Sequence, residues 1–482
     1  MAASFSLHLW VVGRDPTPAW LFWQRSSTAG RRIATFRHAG LTIDAAPVLR
    51  HDHRERCTRY ANTENEMTQG NTGWWVHDRF GLFVHWGLYS VLARHEWIQS
   101  REKIDAKRYA EYMPYFDPDL YDPKDWARRA REAGMKYAVL TSKHHDGFAM
   151  WDTKLSDFKV TNTPAGRDLL REFVDAFRAE GLKIGFYHSV IDWHHPDYTM
   201  DSTHPMRDGD WDAFNRSRDM ARYREFLHGQ VRELLTDYGK IDIMWFDWTP
   251  PEKSKDDWDS PALAAMVREL QPGIILNDRI GYFESADFVT PEEYQAKSWP
   301  ERDGKRVLWE TCQTLNGSWG YHRDNHDWKS PETLLKLLID TVSKGGNLLL
   351  NVGPTARGEF DPVAQETLAT IGAWMRQHGR SIYGATASDE TPPADCRFTQ
   401  RGDRLYVHIF SWPLRHIHLE GFAGRVKYAQ FLHDGSEVFF HDANPDAVAQ
   451  NTEMAEEAGT TILELPFRRP DVAVPVIELF LK

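Results

Sequence analysis

Cysteine is scarce. The chain has 482 residues and only Cys57, Cys312 and Cys396, an odd and sparse set that argues against a disulfide framework and against a cysteine-based metal centre. Long apolar runs are missing as well. None approaches the ~20 residues that a membrane span needs, so no membrane partner is expected. Positive charge is in deficit: 58 Lys+Arg stand against 70 Asp+Glu, a net of −12. That argues against the basic face on which sequence-independent nucleic-acid binding depends. Neither GxGxxG nor GxxxxGK[ST] follows an apolar run, so the open nucleotide-binding folds lose their best support. The LHLWVVG stretch at 7–13 is short and has no basic region before it, which makes a poor signal peptide. With sparse free cysteines, this favours the cytoplasm, although the compartment stays open. No internal repeat or low-complexity tract occurs.

What is present is an ordinary globular balance, 41% hydrophobic and 27% charged, with an excess of tryptophan, 20 residues. Tryptophan offers a flat apolar face and one donor, which suits sugar rings as well as cores. Residues 1–66 read unlike the rest. They hold nine Arg, no Lys and six acidic residues, with no helical or alternating period. The expectation is a disordered leader or an over-extended translation start, with Met67 the alternative first residue, or else a targeting arm.

From about Trp74 short β-rich runs alternate with amphipathic helices. The apolar runs predict strands over 80–86, 137–142, 184–188, 241–246, 274–277, 307–312 and 347–352, with an eighth expected near Ile104 or Val160. Helices are predicted over 124–132, 168–180 and 220–238, after Ser330-Pro331, and after Asp361-Pro362, where the polar residue caps and the proline sits at the first helical position. Such alternation predicts a parallel sheet, and seven or eight repeats favour a closed barrel. After about Tyr383 the runs at 404–409, 416–419, 426–431, 437–440, 461–465 and 476–481 alternate or are β-branched, which predicts an antiparallel sandwich. The expected organisation is a leader (1–66), a (β/α)8-like TIM barrel (67–382) and a β-sandwich (383–482).

A barrel carries its active site at the C-terminal ends of its strands. There the sequence delivers His85, the run Lys143-His144-His145-Asp146, Tyr187-His188, Asp247-Trp248, Asn277-Asp278-Arg279 and Glu310. Polar, titratable and aromatic groups arriving at one end of strand after strand point to glycoside hydrolysis, which needs two carboxyl groups flanking the anomeric carbon. Asp247 is the first choice for nucleophile, against the alternative of an aspartate that caps the next loop. Adjacent histidines on an extended segment point to opposite sides, and no His-x-His follows the first strand, where His85 stands alone, so His144 and His145 read as hydroxyl-binding groups ahead of metal ligands. The run 192–197, DWHHPD, lies in a loop and reads as rim or solvated surface.

These residues resemble the α-L-fucosidases of glycoside hydrolase family 29. The matching phrases are RFGLFVHWGLYS (79–90), EWIQ (96–99), KYAVLTSKHHDGFAMWDT (136–153), GLKIGFYHS (181–189), MWFDW (244–248), TPEEY (290–294), WETC (309–312), SWGY (318–321) and GGNLLLNVGP (345–354). The resemblance implies a (β/α) barrel followed by a β-sandwich. It implies retaining hydrolysis of terminal α-L-fucose from oligosaccharides or glycoconjugates, without metal or organic cofactor. Asp247 matches the family nucleophile. His85, Glu96, Trp97, His144, His145, Tyr187, Trp245 and Arg279 match positions that bind or line the fucose, and Trp319 one that packs on its apolar face and C5 methyl. For the acid/base Glu292 is the first choice and Glu310 the second, with Glu293 and Glu96 behind. The competing readings are a catalytically silent carbohydrate-binding protein on this scaffold and a metal-dependent hydrolase. A homo-oligomer is compatible with the sequence.

Overall fold

The computed structural model describes residues 69–447 and 454–482. The stretch 1–66, Met67 and Cys57 lie outside the described residues. Seven parallel strands form one sheet: β1 (Phe80–Val84), β2 (Tyr137–Lys143), β3 (Lys183–Ser189), β4 (Ile243–Asp247), β5 (Ile275–Leu276), β6 (Glu310–Gln313) and β7 (Asn347–Val352). Their spatial order is β5-β4-β3-β2-β1-β7-β6. All but Lys183 are buried along their whole length, as expected of parallel strands covered on both faces.

Side chains alternate along each strand, and the alternation sorts them into two cores. Phe83, Tyr137, Val139, Tyr187, Ile243, Trp245 and Leu349 form the barrel interior with Trp75 and Phe288. Leu82, Val84, Ala138, Leu140, Met244, Phe246, Leu348 and Leu350 face outward onto the helices. These are α1 (Pro123–Glu132), α2 (Leu169–Ala179), α3 (Met220–Asp237), α4 (Ser260–Leu270), α5 (Pro331–Val342) and α6 (Pro362–His378). Each begins at an oxygen cap. Asp122, Asp168, Asp219, Asp259, Ser330 and Asp361 accept from backbone N–H groups of the first turn, which satisfies donors the helix itself cannot. Gly81 has a distinct reason: a Cβ there would fall 2.3 Å from the Tyr137 ring, so the interior aromatic layer requires a bare backbone on β1.

The eighth position of the barrel is not where the sequence suggested. Ile104 lies just after a turn, outside any strand, and Val160 in a single 3-10 turn. Instead, the segment 287–293 stands between the two sheet edges. It bridges β5 through Asn277–Phe288 and β6 through Val289–Trp309 and Glu292–Cys312. Its sequence, DFVTPEE, is polar and carries a proline, so it gives no strand signal. Among the described residues no helix is long and apolar enough to cross a membrane.

After α6 the chain forms antiparallel sheets of five and three strands. Strands Arg404–Ile409, His416–Glu420, Val426–Phe431, Thr460–Glu464 and Val476–Leu481 fall close to the predicted ranges, and the run at 437–440 shifts to Phe440–Asp442. Strand Cys396–Arg401 gives no clear signal because Arg397, Gln400 and Arg401 interrupt its apolar run. The sandwich has its own core around Phe398, Val407, Leu419 and Leu479, yet Tyr406, Val474 and Val476 join the large barrel cluster beside Trp374, whose Nε1 donates to the Val474 carbonyl at 2.9 Å.

Candidate active site

The parity that builds the interior also aims the functional groups. The inward series on β1 runs Gly81, Phe83 and on to His85; on β3, Gly185 and Tyr187; on β4, Ile243, Trp245 and Asp247. They open into a bowl of about 190 Å³. Ten of the twelve residues singled out in the sequence line it: His85, Trp97, His144, His145, Tyr187, Trp245, Asp247, Arg279, Glu292 and Trp319. Trp248, delivered at the end of β4, lines it too, as do Phe83 and Cys312, which the sequence does not single out. Phe83 and Cys312 are two residues from His85 and Glu310, so strand parity alone could have found them.

Asp247 is the hub. Oδ2 accepts from the Tyr187 hydroxyl at 2.7 Å and faces His145 Nε2 at 3.6 Å. Oδ1 accepts from Arg279 Nη1 at 2.8 Å. The same Nη1 donates to Glu292 Oε2 at 2.8 Å, so one guanidinium nitrogen joins both acids. Arg279 is itself fixed: Nε donates to Thr290 Oγ1 at 2.9 Å, Nη2 to the Thr290 carbonyl at 2.8 Å, and the guanidinium lies 4.5 Å over the Trp245 ring. Asp278 completes this support, since its Oδ1 accepts from the Thr290 N–H and hydroxyl at 3.1 and 2.8 Å.

These contacts set the protonation states. Burial pushes the Asp247 carboxyl up, but Arg279, His145 and the Tyr187 hydroxyl outweigh it and hold the acid below its usual range. Glu292, at the rim with its side chain 45% exposed, moves the other way. Desolvation on its bowl side and the nearby Asp247 charge raise it, against the opposition of Arg279. Two acids driven apart in this way fit an ionised nucleophile and a protonated proton donor. Burial lowers His85 to about 4 and lowers His144 and His145 as well, so neutral imidazoles line the bowl and can both donate to and accept from hydroxyls.

The histidines are placed by their own partners. His85 Nδ1 pairs with Asn351 Oδ1 at 2.7 Å, and Asn351 Nδ2 donates to the Trp319 carbonyl at 2.7 Å, which ties the Trp319 loop to the same imidazole. His145 Nδ1 pairs with Ser189 Oγ at 2.6 Å. His144 stacks parallel on Tyr187 at 5.5 Å. The expectation that the adjacent histidines diverge is corrected: β2 ends at Lys143, the turn beyond it abandons strand alternation, and the two rings lie 4.2 Å apart. The loop at 192–197 is not simply solvated surface either. Asp192 is buried, pairs with the buried Lys143 at 3.1 Å, and accepts from the backbone N–H groups of His194 and His195, so it braces the histidine loop from behind.

Glu96 and Glu310 do not line the bowl. Glu96 is buried and accepts from the Gly320 N–H at 2.7 Å, next to Trp319. The sequence places Glu310 at the close of its strand, but the strand proper runs from it to Gln313. It therefore starts β6, two residues below Cys312, and its carboxyl is enclosed by Trp75 Nε1 (3.2 Å), Trp245 Nε1 (3.3 Å) and the Tyr137 hydroxyl. Burial raises it to about 7. Among the described residues His144, His145 and Asp247 are the group that could hold a metal ion, with ligand atoms within 4.8 Å of one another. The guanidinium already on Asp247 opposes a second cation there.

A family model described as "Alpha-L-fucosidase" matches residues 48–380. Among solved structures, α-L-fucosidase isoenzyme 1 from Paenibacillus thiaminolyticus shares 46% identity over 86% of this chain and 99% of its own, with a TM-score of 0.81. A family 29 α-L-fucosidase from Bacteroides thetaiotaomicron, captured as a covalent intermediate with 2-fluoro-fucosyl fluoride in a glutamate-to-glutamine mutant, shares 27% identity over 87% of this chain and 98% of its own, with a TM-score of 0.74. The α-L-fucosidase of Branchiostoma floridae is 30% identical over 395 residues, 74% of this chain and 82% of that protein. The barrel, the paired acids and these matches agree: the chain belongs to the α-L-fucosidases of glycoside hydrolase family 29.

Proposed function

We propose that this protein is a retaining exo-glycosidase that releases terminal α-L-fucose from fucosylated oligosaccharides or glycoconjugates. One observation carries the reading. Arg279 Nη1 lies 2.8 Å from an oxygen of Asp247 and 2.8 Å from an oxygen of Glu292, so those oxygens are separated by no more than twice that distance. This fits the roughly 5–5.5 Å between carboxyl groups in a retaining pair.

Asp247 Oδ attacks the anomeric carbon as the bond to the aglycone breaks, and the departing oxygen takes the Glu292 proton. In the second step a water gives a proton to the Glu292 carboxylate and attacks the same carbon, and the Asp247 ester bond breaks to regenerate the carboxylate. The neutral His85, His144 and His145 bind the ring hydroxyls. Phe83, Trp97 and Trp319 supply an apolar wall that suits a 6-deoxy sugar, since a 6-hydroxyl placed there would have no partner.

The test is a panel of aryl glycosides with Asp247, Glu292 and Glu310 each changed. With azide, Asp247→Gly should give fucosyl azide of inverted configuration, and Glu292→Ala with an activated fucoside should give the retained anomer. Wild-type rates in Asp247→Asn would end the nucleophile assignment, and binding heat without turnover in the wild type would mark a silent binding protein.

A further inference from the structure

The segment that carries Glu292 turns sharply right after it. Glu293 has φ +47°, in the left-handed region that a residue with a Cβ seldom occupies. Its N–H donates to the Cys312 carbonyl at 3.0 Å, beside the Glu292–Cys312 bridge to β6. Its side chain is then fastened outside the bowl. Oε1 accepts from the N–H and the hydroxyl of Thr314, each at 2.6 Å. Oε2 accepts from Lys329 Nζ at 2.9 Å, and the same Nζ donates to the Thr314 carbonyl at 2.8 Å. The anchor therefore closes on the loop after β6, while the carboxylate of the preceding Glu292 faces Arg279. An extended residue at 293 would redirect the chain at the point where Glu292 is presented.

We infer that Glu293 is a positioning residue: its carboxylate, held by Thr314 and Lys329, maintains the left-handed turn that sets Glu292 against the leaving-group oxygen. The inference rests on the reading of Glu292 as the acid/base. Proton donation depends on hydrogen-bond distance to the departing atom, so displacing the acid should matter most for leaving groups that need a proton.

The experiment compares kcat/KM, which reports steps up to aglycone departure, for phenyl α-L-fucoside and for α-L-fucosyl fluoride. Glu293→Ala should lose about 100-fold on the phenyl fucoside, within the range general acids supply, and less than about 3-fold on the fluoride, whose departure needs little protonation. The basic limb of its phenyl fucoside pH profile should flatten. Thr314→Val and Lys329→Met should show the same substrate ratio at smaller size, and they decide the matter if Glu293→Ala does not fold. Equal losses on both substrates, or none, would overturn the proposal. Glu292→Ala is run in parallel. If it is selective for the phenyl fucoside and the anchor variants are not, only the positioning role falls; if it lowers both substrates equally, the acid assignment falls and this inference with it.

Discussion

The bowl and the barrel interior just beneath it each hold a buried carboxyl group that accepts from a tyrosine hydroxyl, and the two behave in opposite ways. In the bowl Asp247 meets Tyr187, His145 and the guanidinium of Arg279 and stays ionised. One layer down Glu310 meets Tyr137, Trp75 and Trp245, with no cation among the described residues in hydrogen-bonding contact, and burial drives it to about 7. Trp245 belongs to both layers, with its ring face under Arg279 and its N–H on Glu310. The difference teaches that three neutral donors do not keep a buried carboxylate charged near neutrality; one well-fixed guanidinium does.

The comparison breaks first at Asp247. Asp247→Gly should lower kcat for aryl fucosides by on the order of 10⁶-fold, the scale seen when a covalent nucleophile is removed, with recovery by azide; Glu310→Gln, one layer below, should stay within about 3-fold. Arg279→Met comes next. Losing a fixed charge donor at a reacting centre costs roughly 10²–10³ in kcat. The whole kcat/KM–pH bell should also move to higher pH, because Asp247 and Glu292 both lose the cation that favours their charged forms.

Glu310 sharpens the contrast through stability. Its folded pKa, about 7, lies above the ordinary value of 4.5. Between those values the folded state keeps a proton that the unfolded state has released, so this group's contribution declines as pH rises through that window. Thermal unfolding of the wild type and of Glu310→Gln, followed from pH 4.5 to 7.5, should show the wild type losing stability relative to the variant as pH increases; a constant difference would refute the neutral buried acid. The smallest effect belongs to Trp245→Phe, which keeps a ring beneath Arg279 and removes the donor to Glu310. A loss of about 1–3 kcal/mol in stability is expected from leaving that acceptor short of a partner, with a few-fold change in kcat read in the same assay.

Most of the site was legible because strand periodicity is a reliable pointer to one face. Once Ile243, Trp245 and Asp247 are seen to alternate, the direction of the aspartate follows, and the same holds for Phe83 and His85. Periodicity does not say where a strand begins. The run 307–309 is apolar but leads into β6, and so the sequence places Glu310 at the end of a strand that it opens. The eighth barrel position was hidden for another reason: the segment 287–293 is held by single bridges and by Arg279 and Asp287 side-chain bonds, with no apolar alternation to betray it. The convergence of His144 and His145 depended on where β2 stops, a one-residue matter that propensity does not resolve. Glu293 ranks behind Glu292 as a candidate acid in the sequence, but nothing there shows the left-handed backbone that turns it away from the bowl.

The shared cluster of Trp374 with Tyr406, Val474 and Val476 has a practical corollary. A gene cut after α6 would leave that indole facing water with its N–H stripped of the Val474 carbonyl, so a barrel-only version should be expected to precipitate during expression. The two halves are better exchanged between relatives as one cassette than grafted separately.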